Sequence, residues 1–156
     1  MISCTFEKGH SASLRHIVTH AIVEKDGCLL LVKRSMDIIE SGKWALPGGF
    51  LGRDETLEKG VLRELLEETG WEGKIISLFQ ITSNPNRPHE DRQNVAFSYI
   101  IKPTQEVSKP DKESTKVTWL PIETLPSLGE MAFDHGETIR LYLEYKKHSF
   151  PLPIVI

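Results

Sequence analysis

Three glutamates crowd a short segment near the middle of the chain, Arg63-Glu64-Leu65-Leu66-Glu67-Glu68. Glu64, Glu67 and Glu68 stand at positions i, i+3 and i+4, which at about 100° per residue places them within an arc of about 100° on one helix face. Like charges at this spacing destabilise a helix by roughly 0.2–0.5 kcal/mol per pair. The negative pole of the helix dipole adds to this cost. A purely structural helix would be more stable without this arrangement.

Two interpretations fit this acidic face. It can be a solvated surface, partly neutralised by Arg63 and Lys59. Alternatively, its carboxylate oxygens can hold a hard divalent cation, Mg²⁺ or Mn²⁺, with a backbone carbonyl from the Pro47-Gly48-Gly49 bend, such as that of Gly48, as a further ligand. Mg²⁺ typically binds through one or two carboxylates plus substrate phosphates. The second interpretation therefore points to phosphoryl transfer, with water as the favoured acceptor.

The apolar pattern predicts the elements that position these residues. Leucine and valine recur at helical spacing and predict a helix over 55–69, with Gly70 just past its end. Two apolar, β-branched runs, 17–23 and 28–33, flank Asp26-Gly27 and predict a β-hairpin. Further strands are predicted over 74–80, 95–101 and 116–120, and a second helix from Asp134 through Tyr145.

Irregular segments lie between these elements and at the chain ends. Pro47 followed by two glycines predicts a sharp bend with exposed backbone groups, and 83–92 is too rich in Pro and Asn for regular structure. The tail, 150–156, is unusually apolar for a terminus. We expect it to pack on its own domain, with a subunit contact in a homodimer as the alternative.

Composition narrows the class of protein. The 156 residues, 39% of them hydrophobic, suit one ordinary domain, and 19 basic against 22 acidic residues give a net charge of −3 without a basic cluster. This argues against a nucleic-acid polymer as partner but allows a phosphorylated small molecule. Cys4 and Cys28 lack the spacing of a zinc site or disulfide framework. Without a signal-peptide pattern or the ~20 apolar residues of a membrane span, we expect a cytoplasmic protein without membrane contact.

The spacing around the glutamates resembles the Nudix box, G-x5-E-x7-R-E-U-x-E-E-x-G-U, in which U is a bulky apolar residue. Every fixed position matches: Gly49, Glu55, Arg63, Glu64, Leu65, Glu67, Glu68, Gly70 and Trp71. The flanking segments 44–49 and 119–121 are also similar to the Nudix hydrolase (MutT-like) superfamily. The resemblance implies the α/β fold of that family, an αβα sandwich with a mixed central sheet and a catalytic loop–helix–loop. It implies a single domain over 1–156, with 1–15 as an N-terminal extension.

The resemblance also implies a metal centre. In the family the last three box glutamates ligate one to three Mg²⁺ (or Mn²⁺) ions, which carries over to Glu64, Glu67 and Glu68, with the carbonyl of Gly48 as a further ligand. The ions bridge a diphosphate and activate water. The remaining box positions are structural in the family, where they hold the loop–helix–loop together. These positions are Gly49, Glu55, Arg63 and Gly70.

The general base is open between two sources. The family takes it either from the box, which gives Glu64, or from a glutamate in a late loop. Many relatives carry the loop glutamate three residues before the tryptophan of the following strand, where this chain has Lys116. Glu113 and Asp111 are the nearest acidic residues. Glu64 is slightly favoured, with Glu113 as the alternative catalytic residue.

Substrate choice depends on residues outside the box. Pro85 and the segment 132–135 resemble features of short ADP-ribose pyrophosphatases. The favoured function is Mg²⁺-dependent hydrolysis of a diphosphate bond in a nucleoside diphosphate linked to another moiety, with ADP-ribose or a related nucleotide sugar giving AMP and a sugar phosphate. Candidate substrate-binding residues, with ordinary surface arginines as the alternative, are Arg34, Arg87 and Arg92. His20 is expected to pack in a strand.

Two other functions remain open. One is a pyrophosphohydrolase that removes oxidised nucleoside triphosphates, releasing pyrophosphate and a monophosphate. The other, from a different class, is a non-catalytic Nudix module that binds a nucleotide ligand. The complete set of box glutamates counts against the second alternative.

Overall fold

A computed structural model describes residues 2–89, 94–110 and 114–156 of the chain. Its elements, in chain order, are β1 Ile2–Thr5, β2 Ser11–Leu14, β3 Ile17–Lys25, β4 Cys28–Arg34, β5 Trp44–Ala45, β6 Gly48–Phe50, α1 Leu57–Thr69, β7 Trp71–Thr82, β8 Val95–Glu106, β9 Ser114–Pro121, α2 His135–Lys147 and β10 Ile154–Val155. Neither helix has the length and apolarity that crossing a bilayer would require in the described ranges.

The hairpin predicted at the start of the domain is confirmed. Strands β3 and β4 pair antiparallel, with Lys25 opposite Cys28. The two residues between them, Asp26 and Gly27, both have positive φ, 50° and 74°. Such a two-residue turn matches the twist of the flanking strands, which is why Asp-Gly between apolar runs is a strong hairpin signal.

The central sheet is mixed, as expected. Its strand order is β10-β7-β8-β3-β4-β5, with β6 also pairing with β3 and β9 with β4. The β3–β8 and β7–β10 pairs are parallel, whereas the other pairs in this sheet are antiparallel. The predicted bend after Pro47 is followed by the short strand β6, which pairs antiparallel with β3.

The two helices cover opposite faces of this sheet. Successive side chains of a strand point to opposite faces, and in β3 Ile22 belongs to the hydrophobic cluster that contains Ile139 and Tyr142 of α2. Its neighbour Ala21 belongs to the cluster that contains Val61 and Leu65 of α1. This alternation makes the predicted αβα sandwich, and the expected fold is confirmed.

Several element boundaries differ from the prediction. Helix α1 begins at Leu57 rather than residue 55, because the Thr56 hydroxyl accepts the Lys59 N–H and acts as the N-cap. Strands β7 and β8 extend beyond 74–80 and 95–101, because they pair with each other along most of their lengths. Helix α2 begins one residue after Asp134. Gly70 ends α1 as predicted, with φ 76°.

Both chain ends form strands. Strands β1 and β2 pair in a small sheet of their own, so the expected N-terminal extension is a hairpin. The apolar tail adds β10 to the edge of β7, and the Ile156 N–H donates to the Ile81 carbonyl at 3.0 Å. This agrees with the expectation that the tail packs on its own domain. Cys4 and Cys28 are both free thiols.

Phe79 of β7 joins α2 to the sheet, and truncating it should strongly destabilise the fold. Its side chain is fully buried and meets the Tyr142 ring edge-on at 5.9 Å. We expect Phe79→Ala to lower the free energy of unfolding by about 3–5 kcal/mol, measured by urea denaturation. Phe6 is 54% exposed, so Phe6→Ala should stay within about 0.5 kcal/mol of the wild type. Equal losses in both variants would contradict this account of the core.

Candidate active site

Three glutamates from the last turns of α1 and the glycines of β6 line one cavity of about 560 Å³. Its described lining residues include four predicted metal ligands and two predicted substrate-binding arginines: Gly48, Glu64, Glu67, Glu68, Arg34 and Arg87. Residues distant in sequence thus meet at one concave surface. Glu113 and Arg92, the other two candidates, lie outside the described residues, as does Asp111.

Arg63 holds the acidic cluster, which we define as Glu64, Glu67 and Glu68. Its Nη1 donates to Glu64 and to Glu67, each at 2.8 Å. Its Nε and Nη2 donate to the two oxygens of Glu55 at 3.0 and 2.7 Å, and Nη2 also reaches the Phe50 carbonyl at 3.1 Å. One guanidinium therefore links the helix to the loop before it and offsets part of the repulsion among the carboxylates.

Glu55 is the strongest partner of this guanidinium. Hydrogen bonding to Arg63, with a further hydrogen bond from the Gly52 N–H at 2.6 Å, lowers the pKa of Glu55 from about 4.5 to about 2. Both contacts favour the ionised carboxylate. The same network raises the pKa of Arg63, so the pair is fully charged at neutral pH.

Glu68 is fixed by the backbone of Gly48. Glu68 is only 7% exposed, and its carboxylate accepts the Gly48 N–H at 2.8 Å. Hydrogen bonds join Ala21 to Pro47 on one side of this position and Leu51 to the start of β3 on the other. Residue pairs in an antiparallel ladder are alternately hydrogen-bonded and not hydrogen-bonded. In this register His20 and Gly48 form a pair that is not hydrogen-bonded, so the N–H and carbonyl of Gly48 make no hydrogen bond to β3.

Two glycines make this close approach feasible. A Cβ on Gly48 would collide with the Thr19 carbonyl of β3. A Cβ on Gly49 would lie 2.6 Å from the carboxyl group of Glu64. Only residues without a side chain let β6 lie between its neighbouring strand and the glutamates of α1.

The oxygen-bearing groups around the acidic cluster are of the kind that bind a hard cation, and they lie close together in the cavity. Glu64, Glu67, Glu68 and Gly48 all line the cavity, and carboxylate and backbone carbonyl oxygens are ligands that Mg²⁺ and Mn²⁺ prefer. Within the described ranges, no three acidic, histidine or cysteine side chains are already arranged around a common ion position. The carboxylates instead bind Arg63 and the Gly48 N–H. Metal binding would exchange some of these contacts for metal–oxygen bonds.

A second group in the cavity, the arginine cluster, consists of Arg34, Arg87 and Phe133. Both guanidinium groups lie over the Phe133 ring, at 5.2 and 5.1 Å from its centroid. Arg87 is 5% exposed and pairs with Asp134 at 2.7 Å. Phe133 has φ 50°, a costly backbone conformation for an aromatic residue and one that tends to occur at functional sites. The two arginines were predicted from the sequence, but the contact of both with the Phe133 ring was not.

Two buried histidines lie beside this cluster. The rings of His20 and His135 are 4.4 Å apart between centroids, and both are at least 94% buried. Burial, followed by repulsion from neighbouring groups including Arg87, lowers the pKa of each well below its usual value, so both are neutral. His20 is packed in β3, as expected, but it also lines the cavity. His135 lines the cavity as well, a role that the sequence does not predict for this residue individually.

Lys116 stands where many relatives carry the late-loop glutamate. It lies in β9 opposite Lys33, and the ammonium groups of both lysines lie over the Trp44 ring, 5.8 and 5.5 Å from its centroid. Among the described residues that line the cavity, Lys116 is absent. This position therefore packs on the sheet rather than on the acidic cluster.

Comparison with known proteins identifies the family. A family model described as the NUDIX domain matches residues 14–142, and the chain belongs to this family. It is 33% identical to the ADP-ribose pyrophosphatase of Methanocaldococcus jannaschii over 130 residues. This alignment covers 83% of this chain and 74% of that protein. It is 39% identical over 111 residues to a MutT-like protein of Streptomyces ambofaciens, covering 71% of this chain and 64% of that protein.

Solved structures agree with this assignment. A NUDIX hydrolase from Nitrosomonas europaea superposes with a TM-score of 0.78 at 25% identity, covering 99% of this chain and 93% of that one. An ADP-ribose pyrophosphatase from Streptococcus suis shares the fold, with a TM-score of 0.74 at 20% identity over 92% of this chain and 100% of that one. The predicted class, a Nudix pyrophosphohydrolase acting on phosphoric anhydrides, is confirmed.

The lowered pKa of Glu55 predicts acid sensitivity. A carboxyl group whose pKa is lower in the folded than in the unfolded chain stabilises the fold above its unfolded pKa, and this stabilisation is lost as pH falls. With a folded pKa of about 2, the loss should occur between about pH 4.5 and pH 2. We expect Glu55→Gln to reduce this dependence, measured by urea denaturation across that range.

Glu137 provides the matched control for this measurement. It also pairs with an arginine, Arg140, but its side chain is 54% exposed, whereas that of Glu55 is 16% exposed. Because solvent screens exposed pairs, Glu137→Gln should alter the pH dependence less. If the two variants changed it equally, the Arg63 network would not be the cause.

Proposed function

We propose that the protein is a metal-dependent hydrolase of a nucleoside diphosphate linked to another moiety, with ADP-ribose or a related nucleotide sugar as the favoured substrate. The products would be AMP and a sugar phosphate. The observation that carries the proposal is that one cavity holds the acidic cluster together with Arg34 and Arg87. Such a cavity offers oxygen donors for cations and guanidinium groups for an anion. The ADP-ribose pyrophosphatase of M. jannaschii supports this choice of substrate.

The metal centre would use Glu64, Glu67, Glu68 and the carbonyl of Gly48. One to three Mg²⁺ or Mn²⁺ ions, when bound, neutralise charge that develops on the phosphoryl oxygens and lower the pKa of the attacking water. The protein's own contribution is to keep the carboxylates close. Arg63 holds two of them from one side, and the backbone of β6 fixes the third.

Glu64 is the favoured general base. Its side chain is 14% exposed and Glu64 lines the cavity, which supports a role for this carboxylate in activating water beside the substrate. Its contact with Arg63 at 2.8 Å orients this carboxylate. Glu113 remains the alternative, since the late loop supplies the base in part of the family.

The arginine cluster would bind the anionic part of the substrate. Arg87 pairs with Asp134, and the guanidinium groups of Arg34 and Arg87 both lie over the Phe133 ring, so two cationic side chains stand together in the wall of the cavity. Guanidinium groups recognise phosphate oxygens in a planar, often bidentate geometry. Arg92 is a third candidate for this role.

Product analysis tests the substrate directly. The protein is incubated with Mg²⁺ and, separately, with ADP-ribose, nucleotide sugars, diadenosine polyphosphates, and normal or oxidised nucleoside triphosphates, and the products are separated by chromatography. AMP and ribose phosphate from ADP-ribose are expected. Pyrophosphate release from triphosphates would instead support the oxidised-nucleotide alternative. Saturable ligand binding without turnover would support a non-catalytic module.

Removing one carboxylate charge tests the metal centre. Glu68→Gln keeps an oxygen that can accept the Gly48 N–H, so the fold should remain intact or gain roughly 0.2–0.5 kcal/mol from relief of one like-charge pair. Metal-dependent turnover should fall by more than about 100-fold, because even partners outside the ligand shell contribute 10–100-fold. The measurement is initial rate against Mg²⁺ concentration.

Glu58→Gln is the matched control. Glu58 is exposed in the first turn of the same helix, so this variant also removes one negative charge from α1 but should keep wild-type turnover. Full activity of Glu68→Gln, or an equal loss in both variants, would overturn the proposed site.

A further inference from the structure

His135 makes a hydrogen bond that reaches across the fold. The first residue of α2, it accepts the backbone N–H of Leu46 on its Nδ1 at 3.0 Å, 89 positions away in sequence. Its other nitrogen, Nε2, has no hydrogen-bond partner among the described residues. The Leu46 N–H is therefore the one described hydrogen bond that orients this buried ring.

This bond ends close to the Gly48 peptide. Leu46 lies two residues before Gly48, and Pro47 between them accepts the N–H of Ala21 at 2.8 Å. The bend is thus held at residue 46 from α2 and at residue 47 from β3. The Gly48 peptide directly follows these two anchored residues.

A second contact leads to the same glycine. The His135 ring lies against His20, and His20 stands opposite Gly48 in the β3–β6 register. A Cβ on Gly48 would lie 2.9 Å from both the Cα and the Cδ2 of His20, so the histidine ring and the glycine backbone are in close contact. His135 therefore supports Gly48 both along the chain and across the sheet.

The ring must be neutral to do this. A protonated imidazole carries hydrogen on both nitrogens and cannot accept the Leu46 N–H. Burial in the first place, with repulsion from the nearby charges of Arg87 and Arg34, holds the pKa of His135 well below its usual value. The acceptor is thus present throughout the neutral pH range.

We propose that His135 is a positioning residue for the metal centre, which places the Gly48 peptide so that its carbonyl faces the cation and its N–H faces Glu68. The carbonyl role of Gly48 rests on the proposed function. The added claim is that a residue of the opposite helical layer determines cation affinity, although it supplies no ligand atom itself.

Binding of Mn²⁺ alone, followed by electron paramagnetic resonance of the free ion, tests this without substrate or turnover. His135→Leu removes the acceptor, and we expect its Mn²⁺ affinity to fall about tenfold. His135→Asn should remain within about twofold of the wild type, because the asparagine side-chain oxygen reaches as far from Cβ as Nδ1 and can accept the same N–H. Amide exchange of Leu46 should be slow in the wild type and His135→Asn, and fast in His135→Leu.

Phe79→Ala separates positioning from general loosening of α2. It removes a contact between the sheet and α2 without touching His135, so the folded variant should keep wild-type Mn²⁺ affinity. If His135→Leu bound Mn²⁺ as tightly as the wild type, or if Phe79→Ala lost as much Mn²⁺ affinity as His135→Leu, the inference about His135 would be overturned. The proposed function would not be affected. Failure of the wild type to bind Mn²⁺ would overturn the proposed metal-dependent function and, with it, the inference.

Discussion

The concentration of negative charge on the last turns of α1 is the constraint on which the rest of the site depends. Three carboxylates near the negative pole of a helix repel one another and the dipole. Arg63 offsets part of this repulsion, because its guanidinium group binds Glu64 and Glu67. The same group also binds Glu55 and the Phe50 carbonyl. The loop before the helix therefore helps to hold the arginine that offsets the negative charge of the helix. The bend of β6 lies where that loop begins.

Much of the fold and of the acidic cluster could be predicted because the signals are local. The Asp26-Gly27 turn and the helical spacing of leucines in α1 act within a few residues, and the box positions follow one another along a single stretch from β6 through α1 to the start of β7. The start of α1 was predicted two residues early, because periodicity alone does not show that Thr56 caps the helix while Glu55 turns back to the Gly52 N–H.

The other half of the site could not be read in this way, because its contacts join distant parts of the chain. Arg87 pairs with Asp134, 47 positions away, and His135 binds the Leu46 N–H. Asp134 occupies the N-cap position of α2 without capping it. Its carboxylate binds Arg87 instead, so a residue of a type that favours a helix start holds an arginine that lines the cavity.

The lack of space around Gly48 and Gly49 has a consequence for how such an enzyme can diverge. A side chain at Gly48 would collide with β3 and one at Gly49 with the carboxyl group of Glu64, so this part of the wall cannot change without moving a central strand or a residue of the acidic cluster. Asp37, Ile38 and Ile39 also line the cavity, but they lie in a surface segment outside the regular strands, where substitutions and insertions are tolerated. Evolution of new substrate preferences in this lineage should therefore proceed through the segment between β4 and β5, while the glycine edge stays constant.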